Sequence, residues 1–121
     1  QHQLVSLLLD GVLSAVATAR GALARGDIST KCASISKAVR ILEEGLITAL
    51  DLEQGGEVAL NLNAVYDYAR RRLIQANVEN SDALLQEVAR VIEPIAQGWK
   101  AIKKSDQATA DNASQPMLAE V

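Results

Sequence analysis

The apolar residues of this chain recur at steps of three and four in four segments, separated by short glycine-containing or polar breaks. That spacing places them on one face of an α-helix. A half-buried strand would instead alternate apolar and polar residues at every second position. The pattern therefore predicts helices that bury one face each against their neighbours.

Helix one is predicted over residues 4–25, helix two from residue 27 or 29 to about 52, helix three from about 57 to about 77, and helix four from 80 or 81 to 104. The predicted inward residues are Val5, Leu9, Val12, Val16, Ala19 and Leu23 in helix one; Ile35, Val39, Leu42, Leu46 and Ala49 in helix two; Val58, Leu62, Val65, Ala69, Leu73 and Ala76 in helix three; and Leu84, Val88, Val91, Ile95, Trp99 and Ile102 in helix four.

Particular residues mark the breaks. Gly26 suits the left-handed position that ends a helix, and Asp27 or Ser29 can accept the free amides that begin the next one. Gly55-Gly56 favours a tight connection. Pro94 removes one helical hydrogen bond, but the apolar stripe continues in phase beyond it, so a bend and not an end is expected there.

Short connections between long helices make sequential helices antiparallel. We therefore predict an all-α fold, an antiparallel up-down four-helix bundle over residues 1–104. Gly11 lies inside helix one and is expected to permit close approach of a neighbour. Residues 105–121 form a polar C-terminal tail, expected to be disordered unless Pro116-Met117-Leu118-Ala119 docks in a groove of this chain or of a neighbouring copy.

Composition narrows the class of protein. A chain of 121 residues fits one domain, and because Phe is absent its core must consist almost entirely of aliphatic residues. The net charge of -3 argues against nucleic-acid binding. Cys32 is the only cysteine, which favours a reduced, cytoplasmic protein. The apolar run before Asp10 is too short for a membrane span, and it lacks the flanks of a signal peptide.

The sequence offers no catalytic or metal-binding pattern. His2, the only histidine, lies at the start of the chain, so neither Cys32 nor any serine has a histidine to act as its base. A Glu-x-x-His pair, as used by di-metal bundles, and a phosphate-binding Gly-x-x-x-x-Gly-Lys loop are both absent from the sequence. We therefore expect a protein that is not an enzyme and that needs no cofactor or metal.

Several apolar residues are left over once the inward faces are assigned. Tyr66 projects close to the core, whereas Tyr68 lies toward a flank. The aliphatic residues off the inward stripes are Leu4, Leu7, Leu8, Ile41, Ile47, Leu60, Ile74 and Val78. A contiguous exposed patch of this kind marks a partner site. The alternatives are a bundle with broad buried stripes or a homodimer that covers the excess.

The same helices carry a family resemblance. Its most specific part is Ala64-Val65-Tyr66-Asp67-Tyr68 with Arg71-Arg72-Leu73 and Ala76-Asn77, supported by Leu7-Leu8-Leu9-Asp10-Gly11 and Trp99. Together these residues resemble the flagellin export chaperone family, FliS. The resemblance implies a cytoplasmic four-helix bundle that holds the disordered C-terminal region of flagellin, blocks premature polymerisation and delivers the subunit to the export apparatus. Family members usually carry a tyrosine-containing segment ahead of helix one, thought to cap the partner groove, whereas the given sequence starts almost at the helix.

We expect the flagellin segment to contact a groove on the bundle surface, in which arginine side chains flank apolar positions. The predicted partner-binding residues are Ile41, Ile47, Leu60, Tyr68, Arg71 and Ile74. For Arg71, pairing with Asp67 on the helix surface is the structural alternative. The alternative function is a structural or adaptor bundle that uses the same surface for homodimerisation and has no flagellin ligand.

Overall fold

The computed structural model describes the backbone of residues 2–114 and the side chains of residues 3–102. Residues 2–114 are helical apart from the connections between the helices. Helix α1 spans His2–Ala24, α2 spans Ile28–Arg40 and continues into a π-helical segment, Ile41–Ile47, α3 spans Gly56–Glu79, and α4 spans Asp82–Ser114. Sequential helices are antiparallel, α1 packs on α2 and α4, and α3 packs on α2 and α4. The predicted all-α four-helix bundle is confirmed.

The core is aliphatic, as the composition requires, with one fully buried aromatic residue. Tyr66 is the largest fully buried side chain. The buried cluster otherwise comprises Leu9, Val12, Ala15, Val16, Ala19, Ile35, Ala38, Leu42, Leu46, Ala69, Leu73, Ala76, Leu85, Val88, Ile92 and Ala96. Several of these positions are alanines, which let the helices approach closely.

The predicted inward faces are correct in α1 and for most positions of helices two and three, and the main departure is in α4. In α4 Val88 is buried as predicted, but the other buried residues are Leu85, Ile92 and Ala96, one position beyond Leu84, Val91 and Ile95, which are only partly buried. Apolar residues occupy both of two adjacent positions in these turns, so the three-four pattern fits two phases. Near the helix ends the prediction was wrong at three residues: Ala49 is exposed, Val58 is 68% exposed and Ile102 is 51% exposed.

Helix two does not run to residue 52 as predicted. Its last turns form the π-helical segment Ile41–Ile47, after which the chain turns toward α3. A π-helix bonds residue i to residue i+5 and accommodates extra residues in a turn. The Thr48 hydroxyl donates a hydrogen bond to the Glu43 carbonyl, five residues back, which helps to satisfy the widened turn. The continuous apolar spacing gave no sign of this change of pitch.

The connections use the predicted turn residues in most places. Gly26 has φ of +73°, and the Asp27 carboxylate accepts from the Thr30 amide at 3.1 Å, so helix one ends and helix two begins as expected. Of the two predicted caps of α4, Ser81 accepts from the Leu84 amide at 3.2 Å. Asn80 instead ends α3 in the left-handed conformation, with φ of +52°. Gly56, the second glycine of the predicted break, has φ of +60°.

Helix α4 is longer than predicted. It continues through Pro94 and beyond Lys104 as far as Ser114. Residues 105–114 contain alanine and no glycine or proline, and extending an existing helix requires no new nucleation. The predicted docking segment, Pro116-Met117-Leu118-Ala119, lies outside the described residues, so its docking stays a prediction.

By length and composition, residues 3–24 of α1 could also cross a membrane. The core helix of a soluble protein passes the same test. In this structure Leu9, Val12, Val16 and Ala19 are buried in the bundle core.

Polar side chains link the helices at the end of the bundle that holds the α1–α2 and α3–α4 connections. We call this end the closed end. The Lys31 side chain is 2% exposed, and its ammonium donates to the backbone carbonyl of Asn77 at 2.9 Å and to the Asn77 side-chain oxygen at 2.8 Å. These acceptors lie in the last turn of α3, where the helix dipole favours a cation. Arg20 of α1 pairs with Asp82 of α4 through two hydrogen bonds, of 2.8 and 3.2 Å.

Helix α1 and the π-helical segment pack through two reciprocal glycine contacts. A Cβ atom added at Gly11 would lie 3.2 Å from Cδ1 of Ile41, and one added at Gly45 would lie 3.1 Å from Cδ1 of Leu8. Each glycine therefore receives an aliphatic side chain from the other helix. The prediction that Gly11 permits close approach of a neighbour is confirmed.

Candidate partner-binding groove

An apolar groove of about 410 Å³ opens at the opposite end of the bundle, which we call the open end. Here the start of α1, the π-helical segment, the connection 48–55, the start of α3 and the later part of α4 come together. The lining residues are Leu4, Val5, Leu8, Gly45, Leu46, Ala49, Leu50, Asp51, Gly55, Val58, Ala59, Leu62, Tyr66 and Trp99. We refer to this site as the end groove.

The end groove has an aromatic base and aliphatic walls. The buried Tyr66 hydroxyl is hydrogen-bonded to the Trp99 side chain, and burial raises the pKa of this phenol. On the walls, Leu4 of α1 is 56% exposed, and Val58 lies on α3. Apolar side chains left in water at a concave site favour binding of another apolar surface.

The π-helical segment helps to shape the groove. Gly45 leaves room for Leu8, and both residues line the site. Leu46, in the same turn, is buried and forms part of the groove base. Since π-turns often occur at functional sites, the position of this segment supports a binding role for the open end.

None of the six predicted partner-binding residues lines the end groove. Leu60 is 54% exposed on α3, outside the groove. Ile41 and Ile47 are partly buried against the core, and Ile41 fills the space beside Gly11. Ile74 is 44% exposed and borders a second, shallower depression between α2 and α3.

This second depression, which we call the side groove, has a volume of about 270 Å³. It is lined by Ile35, Ser36, Val39, Arg40, Glu43, Glu44, Ile74, Asn77 and Val78. Its apolar strip is therefore bordered by charged side chains of both signs. Its smaller size and its charged border make it a weaker candidate for binding an apolar chain than the end groove.

Tyr68 and Arg71 lie in a polar network that joins α3 to α4. The Tyr68 hydroxyl donates to Glu87 at 2.8 Å, and the guanidinium carbons of Arg71 and Arg72 lie 5.8 and 5.6 Å from the Tyr68 ring centroid. Arg72 donates to Glu87 at 2.7 Å, and this bond, with that from Tyr68, lowers the pKa of Glu87. The bond to Glu87 also raises the pKa of Tyr68.

Arg71 also has the partner suggested by its spacing. It pairs with Asp67 at 3.0 Å, and the hydrogen bonds from Arg70 and Arg71 lower the pKa of the Asp67 carboxyl. Arg70 additionally reaches Glu43 in the π-helical segment at 3.6 Å. In the isolated chain the side chains of Arg71 and Tyr68 are thus occupied by neighbours on α3 and α4, and their predicted role in binding a partner stays a prediction.

Sequence reasoning missed the end groove as a site, although part of its signal was present. Leu4 and Leu8 both stood among the aliphatic residues left off the inward stripes, and both line the groove. The spacing predicts Val58 in the core, whereas the structure buries the adjacent Ala59 and leaves Val58 68% exposed at the groove. Within the described part of the chain, no cluster of His, Cys, Asp and Glu could hold a metal ion.

Comparison with known sequences places these features in a family. The family described as "Flagellar protein FliS" matches residues 1–106. The chain belongs to the FliS family. Its relatives include the flagellar secretion chaperone FliS of Salmonella typhimurium, 46% identical over 84% of this chain and 75% of the relative.

Other FliS relatives extend the comparison. The flagellar secretion chaperone FliSB of Pseudomonas aeruginosa is 44% identical over 84% of this chain and 79% of the relative. The FliS of Bacillus subtilis is 30% identical over 87% of this chain and 77% of the relative. Membership of the FliS family supports a chaperone role in flagellar export for this chain. It does not by itself give the segment that is bound or the surface that binds it.

Proposed function

We propose that this chain is a cytoplasmic, non-enzymatic export chaperone that holds the C-terminal region of flagellin, with the end groove as its principal contact. The observation that carries the proposal is an open apolar groove on a single chain of the FliS family. The family gives the role in flagellar export, and the groove supplies a surface suited to an apolar segment.

Such a chaperone must bind an aggregation-prone apolar segment reversibly. An amphipathic flagellin terminus exposes an apolar face that would otherwise pair with further subunits, and laying this face into a groove removes it from water. Because the segment orders as it binds, part of the gain from burial is lost to ordering. A modest groove therefore suits a complex that must dissociate at the export apparatus.

The test uses aspartate at exposed positions of the groove wall, where a buried charge would oppose apolar binding without disturbing the bundle core. Leu4→Asp with Val58→Asp should weaken binding of a flagellin C-terminal peptide by at least about a hundredfold, since burying an unpaired carboxylate costs several kcal/mol. Isothermal titration calorimetry measures the affinity, and circular dichroism checks that helicity is unchanged.

One control double variant carries the same changes outside the groove. Leu7, 62% exposed, lies on the same helix as Leu4, and Ile28, 46% exposed, lies at the closed end. Leu7→Asp with Ile28→Asp should leave the affinity within about threefold of wild type. Equal loss in both double variants would show that surface charge, and not the end groove, governs binding.

The residues predicted from sequence are tested separately. Leu60→Asp and Ile74→Asp probe the outer side of α3, and Tyr68→Ala and Arg71→Ala probe the polar network. A loss in these variants would show that the bound segment continues along α3 from the end groove. Size measurement without flagellin completes the comparison. A stable homodimer that Leu4→Asp with Val58→Asp dissociates, with no binding of flagellin, would instead support the homodimerising structural bundle.

A further inference from the structure

The part of the chain that forms most of the end groove wall carries charge of one sign. From residue 41 to residue 69 the sequence contains no Lys, Arg or His, while acidic residues occur throughout this stretch. The stretch covers the π-helical segment, the connection to α3 and the first half of α3. It thus supplies much of the groove wall and all of the connection beside it.

The acidic residues of this stretch fall into two groups. Glu43, Glu44 and Asp67 each pair with an arginine, at 3.6, 3.9 and 2.8 Å respectively. Asp51, Glu53 and Glu57 lie in or next to the connection and are exposed. Among the side chains of residues 3–102, no cation lies within ion-pairing distance of these three carboxylates.

Asp51 connects this charge to the groove. It is the charged member of the groove lining, and its Oδ1 atom accepts from the amides of Glu53 and Gln54 at 3.2 and 3.0 Å. Those bonds hold the carboxylate at the edge of the apolar surface. A bound chain whose apolar side chains enter the groove would bring its neighbouring residues next to Asp51.

We propose that the end groove selects an amphipathic segment whose aliphatic anchors are flanked by Lys or Arg, and that Asp51, Glu53 and Glu57 provide this selection. The inference rests on the proposed function in taking the end groove as the binding site, and it adds the chemistry of the ligand. Opposite charges at the edge of an apolar contact increase the association rate and reject partners of the wrong sign.

The same charges argue against a second copy as the occupant. A two-fold interface places the same patch on both subunits. Pairing two end grooves would therefore bring Asp51, Glu53 and Glu57 of one chain toward their counterparts, and like charges across an interface are unfavourable.

The experiment uses two synthetic amphipathic peptides with identical leucine spacing, one with Lys and the other with Glu beside the leucines. Fluorescence anisotropy measures the affinity of each peptide at low and high salt for wild type and two triple variants. The first triple variant combines Asp51→Asn, Glu53→Gln and Glu57→Gln. The control triple variant combines Glu43→Gln, Glu44→Gln and Glu79→Gln. Each exposed ion pair contributes roughly twofold in affinity, so the Lys peptide should bind wild type about eightfold more tightly than the Glu peptide at low salt.

The preference should fall below about twofold in the first triple variant and at high salt, because exposed charges are screened, and it should persist in the control. Equal binding of the two peptides to wild type, binding of neither, or a preference that survives the first triple variant would overturn the inference. A flagellin peptide separates the two proposals. If the flagellin peptide binds wild type and the first triple variant equally, the charge selection is wrong and the chaperone function stands. If the flagellin peptide does not bind while the Lys peptide is preferred, the charge selection stands and the chaperone function is wrong.

Discussion

The two ends of the bundle differ in how their helix termini are covered. The closed end brings together four helix termini and the open end three, because α4 continues beyond the end groove to Ser114. At the closed end, the buried Lys31 of α2 donates to the last turn of α3, and Ser81 caps α4. Arg20 of α1 pairs with Asp82 of α4. At the open end, Leu4 and Val58 are exposed to water beside the end groove.

This difference separates stability from binding. A chaperone must expose apolar surface, and exposed apolar surface adds nothing to its own folding free energy. Polar contacts join the helices at the closed end, whereas aliphatic side chains stay exposed at the open end. We expect substitutions at the closed end to change unfolding, and substitutions at the groove wall to change binding.

The largest stability effect is expected at Lys31. Lys31→Ala removes the hydrogen bonds to Asn77 and leaves two acceptors and a space beneath the surface. Hydrogen bonds to a charged group and the buried stem together predict a loss of about 3 kcal/mol in the free energy of unfolding. Urea denaturation followed by circular dichroism measures the loss, with Lys37→Ala on the exposed side of the same helix as the control.

Peptide binding in the end groove should be unaffected in Lys31→Ala at temperatures where the variant is folded. A change in stability below about 1 kcal/mol would mean that the ammonium contributes little at the closed end. A loss of binding in the folded variant would show that the two ends are coupled.

A smaller effect is expected at the cap of α4. Ser81→Ala leaves the Leu84 amide without its acceptor, which should reduce the free energy of unfolding by about 1 kcal/mol. Ser29→Ala, at an exposed position in the first turn of α2 where Asp27 is the cap, is the matched control and should have less effect. Equal urea midpoints for the two variants would contradict the assignment of the cap.

The smallest effect concerns the pH dependence of the closed end. The hydrogen bond from Arg20, with one from Gln86, lowers the pKa of Asp82. A carboxyl with a lowered pKa in the folded state adds stability above its unfolded pKa of about 4, and that stability is lost as the pH falls through the folded value. Arg20→Gln should therefore lower the urea midpoint at pH about 6 and flatten its decline toward pH about 2.

Asp10→Asn, which removes the exposed pair with Lys100 and no residue of the closed end, serves as the comparison. Parallel pH profiles for wild type and Arg20→Gln would show that Asp82 gains nothing from Arg20.

The fold could be predicted because its determinants are local. The three-four spacing in α1, the left-handed Gly26 and the cap at Asp27 each act within a few residues, so the sequence displays them directly. The phase of α4 could not be fixed in this way, because Leu84-Leu85 and Val91-Ile92 place apolar side chains on two adjacent faces. Only packing against α1 and α3 selects between them.

The site was harder to predict for a similar reason. The end groove depends on where α2 stops, and this is set by the π-helical segment, whose apolar spacing resembles that of an ordinary helix. Leu4 was recognised as a leftover residue, but its proximity to Val58 and Trp99 is a property of the assembled bundle. The sequence shows three consecutive arginines, Arg70 to Arg72, but it does not show that their side chains pair with Asp67 and Glu87.

The paired contacts of Gly11 with Ile41 and of Gly45 with Leu8 have a consequence for ligand size. In both contacts α1 packs closely against the π-helical segment because glycine has no side chain. The absence of a Cβ atom at Gly11 and Gly45 therefore sets the distance between these two helices. A methyl group at residue 45 would push Leu8 outward and narrow the opening. Under the proposed function, Gly45 and Leu8 would thus limit the thickness of a chain that enters the end groove.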